Sequence, residues 1–187
     1  FTDLGNAKAM VQIYGNRFKF CPVTKKWFVW NRTKWIEDKL NQVLVFANKT
    51  VEAREKNSQG IQEEDLRKTA FRFFRSCQSV ARRNALIEQA KAWQPALVTT
   101  DDLDQNTWLL NCRNGTLDLR TGMIRPHDPA DLITKCVDAD YDPGAACPRW
   151  ISYLEQSMGG DAALVDFIRR AIGYTLTGET DEHALFV

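Results

Sequence analysis

The sequence predicts an α+β fold that is predominantly helical, and two observations support this prediction. Apolar residues recur at helical spacing near the start, in the middle and near the end of the 187-residue chain. Two short regions, residues 17–35 and 108–124, instead contain apolar runs of strand length separated by turn residues. We therefore expect a small N-terminal β meander, a helical middle, a central antiparallel β hairpin or sheet, and a C-terminal helical segment.

The first helix and the meander are predicted by a change of spacing within the first 35 residues. Thr2 or Asp3 is a suitable N-cap for a helix whose apolar side chains recur as far as Tyr14. Gly15 ends that pattern. Residues 17–21 and 26–30 then alternate or cluster as two strands around a proline-containing turn, and the meander closes at Trp35.

Helical spacing returns over the next 60 residues. One helix is predicted from Glu37 to Val51, and the polar residues 56–64 are predicted to form an exposed connection. A longer helical stretch follows at residues 63–93, in which Ser79 and Asn84 are alternative caps where the helix is interrupted.

This long stretch is the candidate functional element, because its side chains separate into two sides at 100° per residue. The apolar side, expected in the core, comprises Leu66, Ala70, Phe73, Cys77, Val80 and Ala81. The basic side comprises Lys68, Arg72, Arg75, Arg82 and Arg83. The basic side is either a solvated or intersubunit face, or a surface that contacts nucleic-acid phosphates.

The second half of the chain is predicted to begin with a sheet and to continue with helices. Turns at residues 113–115 and 120–122 separate three short apolar runs, which favours antiparallel strands. Pro148 suits the first turn of a helix that Gly159 stops, and Asp161 caps another. The final apolar run at residues 184–187 is predicted to start a buried strand, as expected for part of a longer protein.

Composition places the chain among ordinary globular proteins. Apolar residues make up 44% and charged residues 26%. No run approaches the roughly 18 apolar residues of a membrane span, and no signal peptide is recognisable. The five cysteines are scattered, odd in number and without a CxxC pair. They predict reduced thiols, buried by default, in a cytoplasmic protein.

Charge is distributed unevenly between the two halves of the chain. Residues 1–93 contain 18 Lys and Arg against 9 Asp and Glu, a net charge of +9. Residues 94–187 contain 7 Lys and Arg against 15 Asp and Glu, a net charge of −8. The first half therefore suits an anionic partner, while the opposite charges equally suit docking of the halves or of neighbouring subunits.

No motif for nucleotide or calcium binding is complete. A GxxxxGK[ST] loop is absent from the sequence. Asp138, Asp140 and Asp142 resemble the start of a calcium loop, but glycine follows at the seventh position and Arg149 replaces the twelfth-position glutamate. A turn with local side-chain caps is the favoured interpretation.

Two further groups of residues are considered as metal or nuclease sites. Asp101, Asp102 and Asp104 form a carboxylate cluster whose alternatives are a solvated loop and a divalent-cation site, as in a metal-dependent nuclease. His127 and His183 have no Cys or His partner at zinc-ligand spacing. We therefore predict no catalytic residue, no metal site and no cofactor in this chain.

The tryptophans of the meander present another choice. Trp27, Trp30 and Trp35 lie among lysines and arginines, a mixture that single-stranded nucleic-acid sites use. Adjacent strand residues point to opposite faces, so the three rings cannot all be exposed together. Core or interdomain packing is therefore the favoured prediction, and base stacking is the alternative.

Several longer motifs resemble a known family. They are TDLGNA at residues 2–7, WFVWNRTKW at 27–35, LLNCRNGTLDLRTG at 109–122 and DLITKCVDADYDP at 131–143, continuing through PRWISYLEQSMGGD and IRRAIGYTLTGET. In this order they resemble the region just upstream of the helicase in phage, plasmid, prophage and poxvirus primase-helicases. The resemblance covers nearly the whole chain.

This resemblance implies an accessory role in DNA replication. In the family, the region precedes a superfamily-three helicase of the ring-forming AAA+ type, often with a primase domain further upstream. Residues 1–147 would form a mixed accessory domain, and residues 148–187 a helical collar that supports ring assembly. ATP and Mg²⁺ would act in the downstream domain, in a bacterial host or at a viral replication site.

The function predicted for this chain is therefore non-catalytic. It would support self-association as a ring and engage single-stranded or forked DNA, while the parent protein hydrolyses ATP as a helicase. The alternative is a protein-interaction or assembly module that makes no contact with nucleic acid.

Overall fold

A computed structural model describes residues 1–181 of the protein, and within them the predicted, mainly helical α+β fold is confirmed. Six α-helices accompany two three-stranded antiparallel sheets in the described residues. The chain forms two compact units, one at residues 1–103 and one that begins at residue 104. The boundary predicted between residues 147 and 148 does not coincide with this division and stays a prediction. The predicted strand at residues 184–187 and His183 lie outside the described residues.

The first unit begins with the predicted helix and meander. Helix α1 spans Asp3–Tyr14, and the Thr2 hydroxyl accepts the Gly5 N–H at 3.0 Å as its N-cap. Strands β1, β2 and β3 follow at Phe18–Cys21, Lys26–Trp30 and Trp35–Glu37, and they pair in that order. The predicted order of elements is confirmed up to this point.

Helix α2 spans Gln42–Ser58, so the predicted start at Glu37 was wrong. The reason is that Glu37 is the last residue of β3, where it pairs with Phe28 of β2. The Asp38 carboxylate then accepts the N–H groups of Gln42 and Val43 at 2.7 and 2.9 Å, which satisfies two donors of the first helical turn.

The predicted long stretch forms two helices, α3 at Glu64–Ser76 and α4 at Val80–Ala90. Of the two predicted caps, Ser79 caps α4, because its hydroxyl accepts the Arg82 N–H at 3.4 Å, and Asn84 lies inside the helix. The core of the first unit contains side chains from all four helices and from β1 and β2. Its largest members include Met10, Phe18, Phe46, Phe74 and Leu86.

The apolar side predicted for residues 66–81 is only partly correct. Ala70 and Cys77 are buried, but Leu66 is 43% and Val80 64% exposed, and Ala81 is also exposed. The break between α3 and α4 interrupts the continuous 100° spacing on which the prediction relied. The buried face of α3 is therefore rotated, and Phe74, 1% exposed, completes it.

The second unit contains the predicted central sheet. Strands β4, β5 and β6 span Leu109–Cys112, Gly115–Asp118 and Met123–Arg125, and they pair in that order. Gly122 has a φ of +70° in the predicted second turn, a conformation that favours glycine.

Two helices follow the sheet in this unit. Helix α5 spans Pro148–Ser157 with Pro148 in its first turn, and α6 spans Ala162–Leu176. The Asp161 carboxylate caps α6 by accepting the Ala163 and Leu164 N–H groups at 2.9 and 3.1 Å. The predicted place of Pro148 in the first turn and the predicted Asp161 cap are both confirmed. None of the helices described between residues 1 and 181 is long and apolar enough to cross a membrane.

Candidate nucleic-acid interface

Helix α3 presents four cationic side chains and one aromatic ring to solvent. This surface, the α3 basic face, consists of Arg67, Lys68, Phe71, Arg72 and Arg75, all of them exposed. Spacings of three and four residues make these side chains neighbours on one side of the helix. A groove of about 380 Å³ lies along this face, and residues 58 and 59 at the end of α2 contribute to its lining.

The rotation of α3 is fixed by its opposite side. Ala70 and Phe74 are fully buried in the core, and α3 packs against α2. The Phe73 and Phe74 rings also contact the ring of Phe1, with centroids 6.1 and 5.5 Å apart. Because these rings occupy the core side, Phe71 is left on the solvent side.

The cations of the α3 basic face differ in their partners. Lys68 Nζ lies 2.7 Å from a Glu64 carboxylate oxygen, an exposed pair that contributes little to stability. Arg67 donates to the Ile61 carbonyl at 3.1 Å, and the Arg75 guanidinium lies 5.7 Å from the centroid of the Phe71 ring. Arg72 makes no hydrogen bond or ion pair to any residue in the described part of the chain. Its charge is therefore available to an external anion.

Arg82 and Arg83 are separated from this face by the break between the helices. Arg82 is half-buried, 3.7 Å from an Asp3 carboxylate oxygen and 5.1 Å from the centroid of the Phe73 ring. Arg83 is also half-buried and donates to the Asn48 side chain at 3.4 Å. The five predicted cations therefore do not form one stripe on one helix. Phosphate contact by Arg82 and Arg83 stays a prediction, but both already link α4 to its neighbours.

Sequence reasoning missed two members of the α3 basic face, Arg67 and Phe71. Both lie at i ± 4 spacing along the line that ends at Arg75, which is the signal that would have grouped them. They were missed because residues 68–83 were treated as one continuous helix. On that helix the arc of the basic side, which includes Arg82 and Arg83, leaves Arg67 and Phe71 outside.

The tryptophans of the meander pack as predicted. Trp35 is buried, and Trp27 and Trp30 are half-buried. The Trp30 and Trp35 rings lie 5.6 Å apart, and the Trp27 ring lies 5.6 Å from the ring of Phe18. These contacts give the three rings a role in the packing of the first unit.

The predicted carboxylate cluster is used for hydrogen bonds within the protein. Asp102 accepts both the N–H and the hydroxyl of Thr99 at 2.7 Å, and these bonds hold the pKa of Asp102 below its ordinary value. Asp104 accepts the N–H and the hydroxyl of Thr134 at 2.7 and 2.5 Å. Across residues 1–181, no group of three or more His, Cys, Asp and Glu is arranged to hold a metal ion.

The three carboxylates of the calcium-like segment also have partners within the protein. Arg113 lies 3.5 Å from Asp138 and 3.2 Å from Asp140, and Asp142 accepts the Gly144 N–H at 2.8 Å. The Asp142 bond agrees with the favoured interpretation of a turn with side-chain caps, whereas Asp138 and Asp140 pair with Arg113 of the β4–β5 turn.

The most specific sequence motifs meet at the central sheet. Asn111 donates its amide to the Lys135 carbonyl at 3.0 Å. Asn114, in the β4–β5 turn, makes two bonds of 2.9 Å to the backbone of Tyr141, one as donor and one as acceptor. We call this paired contact the Asn114 clamp. These bonds join the NCRNG motif to the DLITKCVDADYDP motif, which gives both motifs a role in holding the second unit together.

Comparison of the sequence with models of protein families gives one match. A family model described as D5 N terminal like matches residues 7–159, more than half of the chain. The chain belongs to this family. D5 N-terminal-like domains are the N-terminal domains of D5-like primase-helicases, which associates this chain with a replicative primase-helicase and confirms the predicted resemblance. No curated protein matches the chain.

The matched range of the D5 N-terminal-like domain includes both features described above. It contains the α3 basic face and the Asn114 clamp, and it ends after α5. Helix α6 at Ala162–Leu176 lies beyond the matched range.

Proposed function

We propose that this chain is a non-catalytic accessory domain of a replicative primase-helicase and that it engages DNA through the α3 basic face. The supporting observation is the exposure of four cations on one side of α3, with Arg72 making no polar contact to another described residue. Arginine remains cationic at physiological pH and matches the geometry of phosphate oxygens. Acidic residues on α3 are confined to its first turn.

In this proposal the chain supplies binding, and other parts of the protein supply chemistry. ATP and Mg²⁺ would be bound by a motor domain outside this chain. Phosphate neutralisation by Lys and Arg releases counterions from DNA, so affinity would fall steeply as salt increases. For a single strand, a plot of the logarithm of the binding constant against the logarithm of the salt concentration falls with a slope of about 0.7 per phosphate contact.

The proposal is tested by removing two charges from the centre of the α3 basic face. Arg72→Gln combined with Arg75→Gln should weaken binding to a fluorescein-labelled dT20 strand at least tenfold at low salt. It should also reduce the slope of log affinity against log salt by about 1.4, as expected for two lost phosphate contacts. Fluorescence anisotropy between about 50 and 200 mM salt measures both quantities.

A matched control changes the same net charge elsewhere in the first unit. Lys25→Gln combined with Lys39→Gln alters two exposed lysines outside α3 and should change affinity less than threefold. Circular dichroism confirms that each variant is folded. Equal affinities for the wild type and the Arg72 and Arg75 double variant would contradict DNA engagement by this face. Complete absence of DNA binding by the wild type would favour the assembly module that makes no nucleic-acid contact.

We also propose that helices α5 and α6 mediate self-association between copies of the chain. No residue of α6 is buried in the described structure, although Leu164, Ile172 and Leu176 are apolar. On α5, Trp150 and Ile151 are likewise exposed. The opposite charges of the two halves favour a second copy as the partner, because the basic half of one copy attracts the acidic half of another.

Self-association is tested by placing charges in the apolar surface of α6. Leu164→Glu combined with Ile172→Glu should convert an assembly to a monomer in sedimentation velocity at about 50 μM protein. Arg169→Glu changes an exposed charged position of the same helix and should retain the assembly. A monomeric wild type at this concentration, in low salt, would contradict the proposed assembly surface.

A further inference from the structure

Phe71 is the one residue of the α3 basic face that carries no charge. Its side chain is 50% exposed, whereas Phe74 is buried and Phe73 is partly buried and packed against the core. Because half of its surface stays in water, Phe71 gains less from burial than Phe74 does, and its ring is accessible to a partner. The ring lies one helical turn from Arg67 and one turn from Arg75.

The surroundings of the Phe71 ring combine an apolar surface with positive charge. The groove of about 380 Å³ beside it is lined by Ser58, Gln59, Arg67, Lys68, Phe71 and Arg72. No Asp or Glu is among these lining residues. The Arg75 guanidinium lies 5.7 Å from the Phe71 centroid, so cations lie close to the ring as well as along the groove.

Single-stranded nucleic acid has the chemistry that matches this arrangement. Each unpaired base offers an aromatic face for stacking, and each adjoining phosphate offers a negative charge to a cation. In a duplex, the base faces are stacked on one another, so a ring on a helix surface cannot reach them without unstacking the strand. An aromatic ring between cations is therefore selective for single strands, whereas cations alone bind both forms.

We infer that the α3 groove is a stacking site for one base of single-stranded DNA, with Phe71 as the stacking platform and Arg67 and Arg72 as contacts to the flanking phosphates. This inference rests on the proposed function and extends it, because it defines the form of DNA that is bound. A segment of acidic protein also matches the charge, but it does not use the face of the ring. The two partners are therefore distinguished by their dependence on Phe71.

The test compares variants that keep or remove the aromatic face of residue 71. Phe71→Leu preserves an apolar side chain and should weaken binding to labelled dT20 by about 5- to 150-fold, the range for loss of one base–aromatic stack. Phe71→Trp keeps an aromatic face and should bind dT20 with an affinity equal to or higher than that of the wild type. Binding to a blunt 20-base-pair duplex should change less than twofold in both variants. Ile13→Ala, at an exposed apolar residue of α1 in the same unit, is the control and should leave both affinities unchanged.

A second measurement reports stacking directly. A dT20 strand with a central 2-aminopurine should change fluorescence on binding the wild type and Phe71→Trp, and much less at saturation with Phe71→Leu. Loss of binding in the Arg72 and Arg75 double variant, with unchanged dT20 affinity and 2-aminopurine signal in Phe71→Leu, would overturn the stacking site and leave the proposed function standing. If neither variant affects DNA binding, both proposals fail. The stacking site would also be overturned if Phe71→Leu weakened the binding of a competing polyglutamate peptide but left the affinity for dT20 unchanged.

Discussion

Gly115 is a residue whose neighbours leave no room for a side chain. A Cβ built at this position would lie 2.6 Å from the Arg125 carbonyl oxygen and 2.8 Å from Cγ1 of Ile124. Both atoms belong to β6, which pairs with β5 in the central sheet. Turn chemistry at the Asn114-Gly115 pair was predicted from the sequence. The close approach of β6 to Gly115 was not predictable, because it depends on how β6 pairs with β5.

Gly115→Ala is expected to destabilise the second unit. Relieving the contact with the Arg125 carbonyl requires β5 and β6 to separate, at a cost of about 1–3 kcal/mol. Urea unfolding, followed by fluorescence and circular dichroism, measures the change in midpoint.

Gly173→Ala provides the comparison for that measurement. Gly173 lies within α6, and a Cβ there meets nothing within 4 Å. Alanine is favoured over glycine inside a helix by roughly 0.5–1 kcal/mol, so this variant should be neutral or slightly stabilised. Equal unfolding midpoints for Gly115→Ala and the wild type would show that β6 accommodates the extra atom without cost.

At the scale of the element, helix ends were predictable where a local cap determines them. Thr2, Ser79 and Asp161 cap α1, α4 and α6 as their positions in the sequence indicated. The start of α2 was not predictable in this way. It depends on strand pairing of Glu37 and on a carboxylate, Asp38, that reaches the first turn from outside the helix.

Helix α3 shows a second limit of sequence patterns. Phe71, Phe73 and Phe74 occur within four residues, so periodicity alone does not determine which rings enter the core. The contacts of Phe1 with Phe73 and Phe74 contribute to the choice, and Phe1 is distant in sequence. Three of the four cations of the α3 basic face were therefore predicted from the sequence, whereas the exposure of Phe71, rather than of Phe73 or Phe74, depends on the tertiary contacts.

At the scale of the whole molecule, the first unit has the organisation of an independent domain. Among residues 1–181, the members of its hydrophobic core all lie within residues 1–103. Phe20 exchanges backbone hydrogen bonds with residues 96 and 98, at 2.6 and 3.0 Å, which adds the segment after α4 to the edge of the meander. Residues 96–98 therefore belong to the fold of the first unit.

A fragment of residues 1–103 is expected to fold and to retain DNA binding through the α3 basic face. It should unfold cooperatively on heating, and its affinity for dT20 should be within threefold of that of the full chain. A fragment of residues 1–93 lacks the segment that bonds to Phe20, so its melting temperature should be lower by several degrees. Non-cooperative melting of the longer fragment, or loss of its dT20 binding, would show that the first unit depends on the rest of the chain.

The Asn114 clamp has a consequence for how this protein tolerates a change in length. Turns between antiparallel strands are usually the places where extra residues are accepted most easily. Here the side chain of the turn residue Asn114 makes the two hydrogen bonds that a paired strand would make to the backbone of Tyr141, 27 positions later in the chain. An insertion beside Asn114 would therefore displace two chain segments at once, so this turn is a poor position for an added residue.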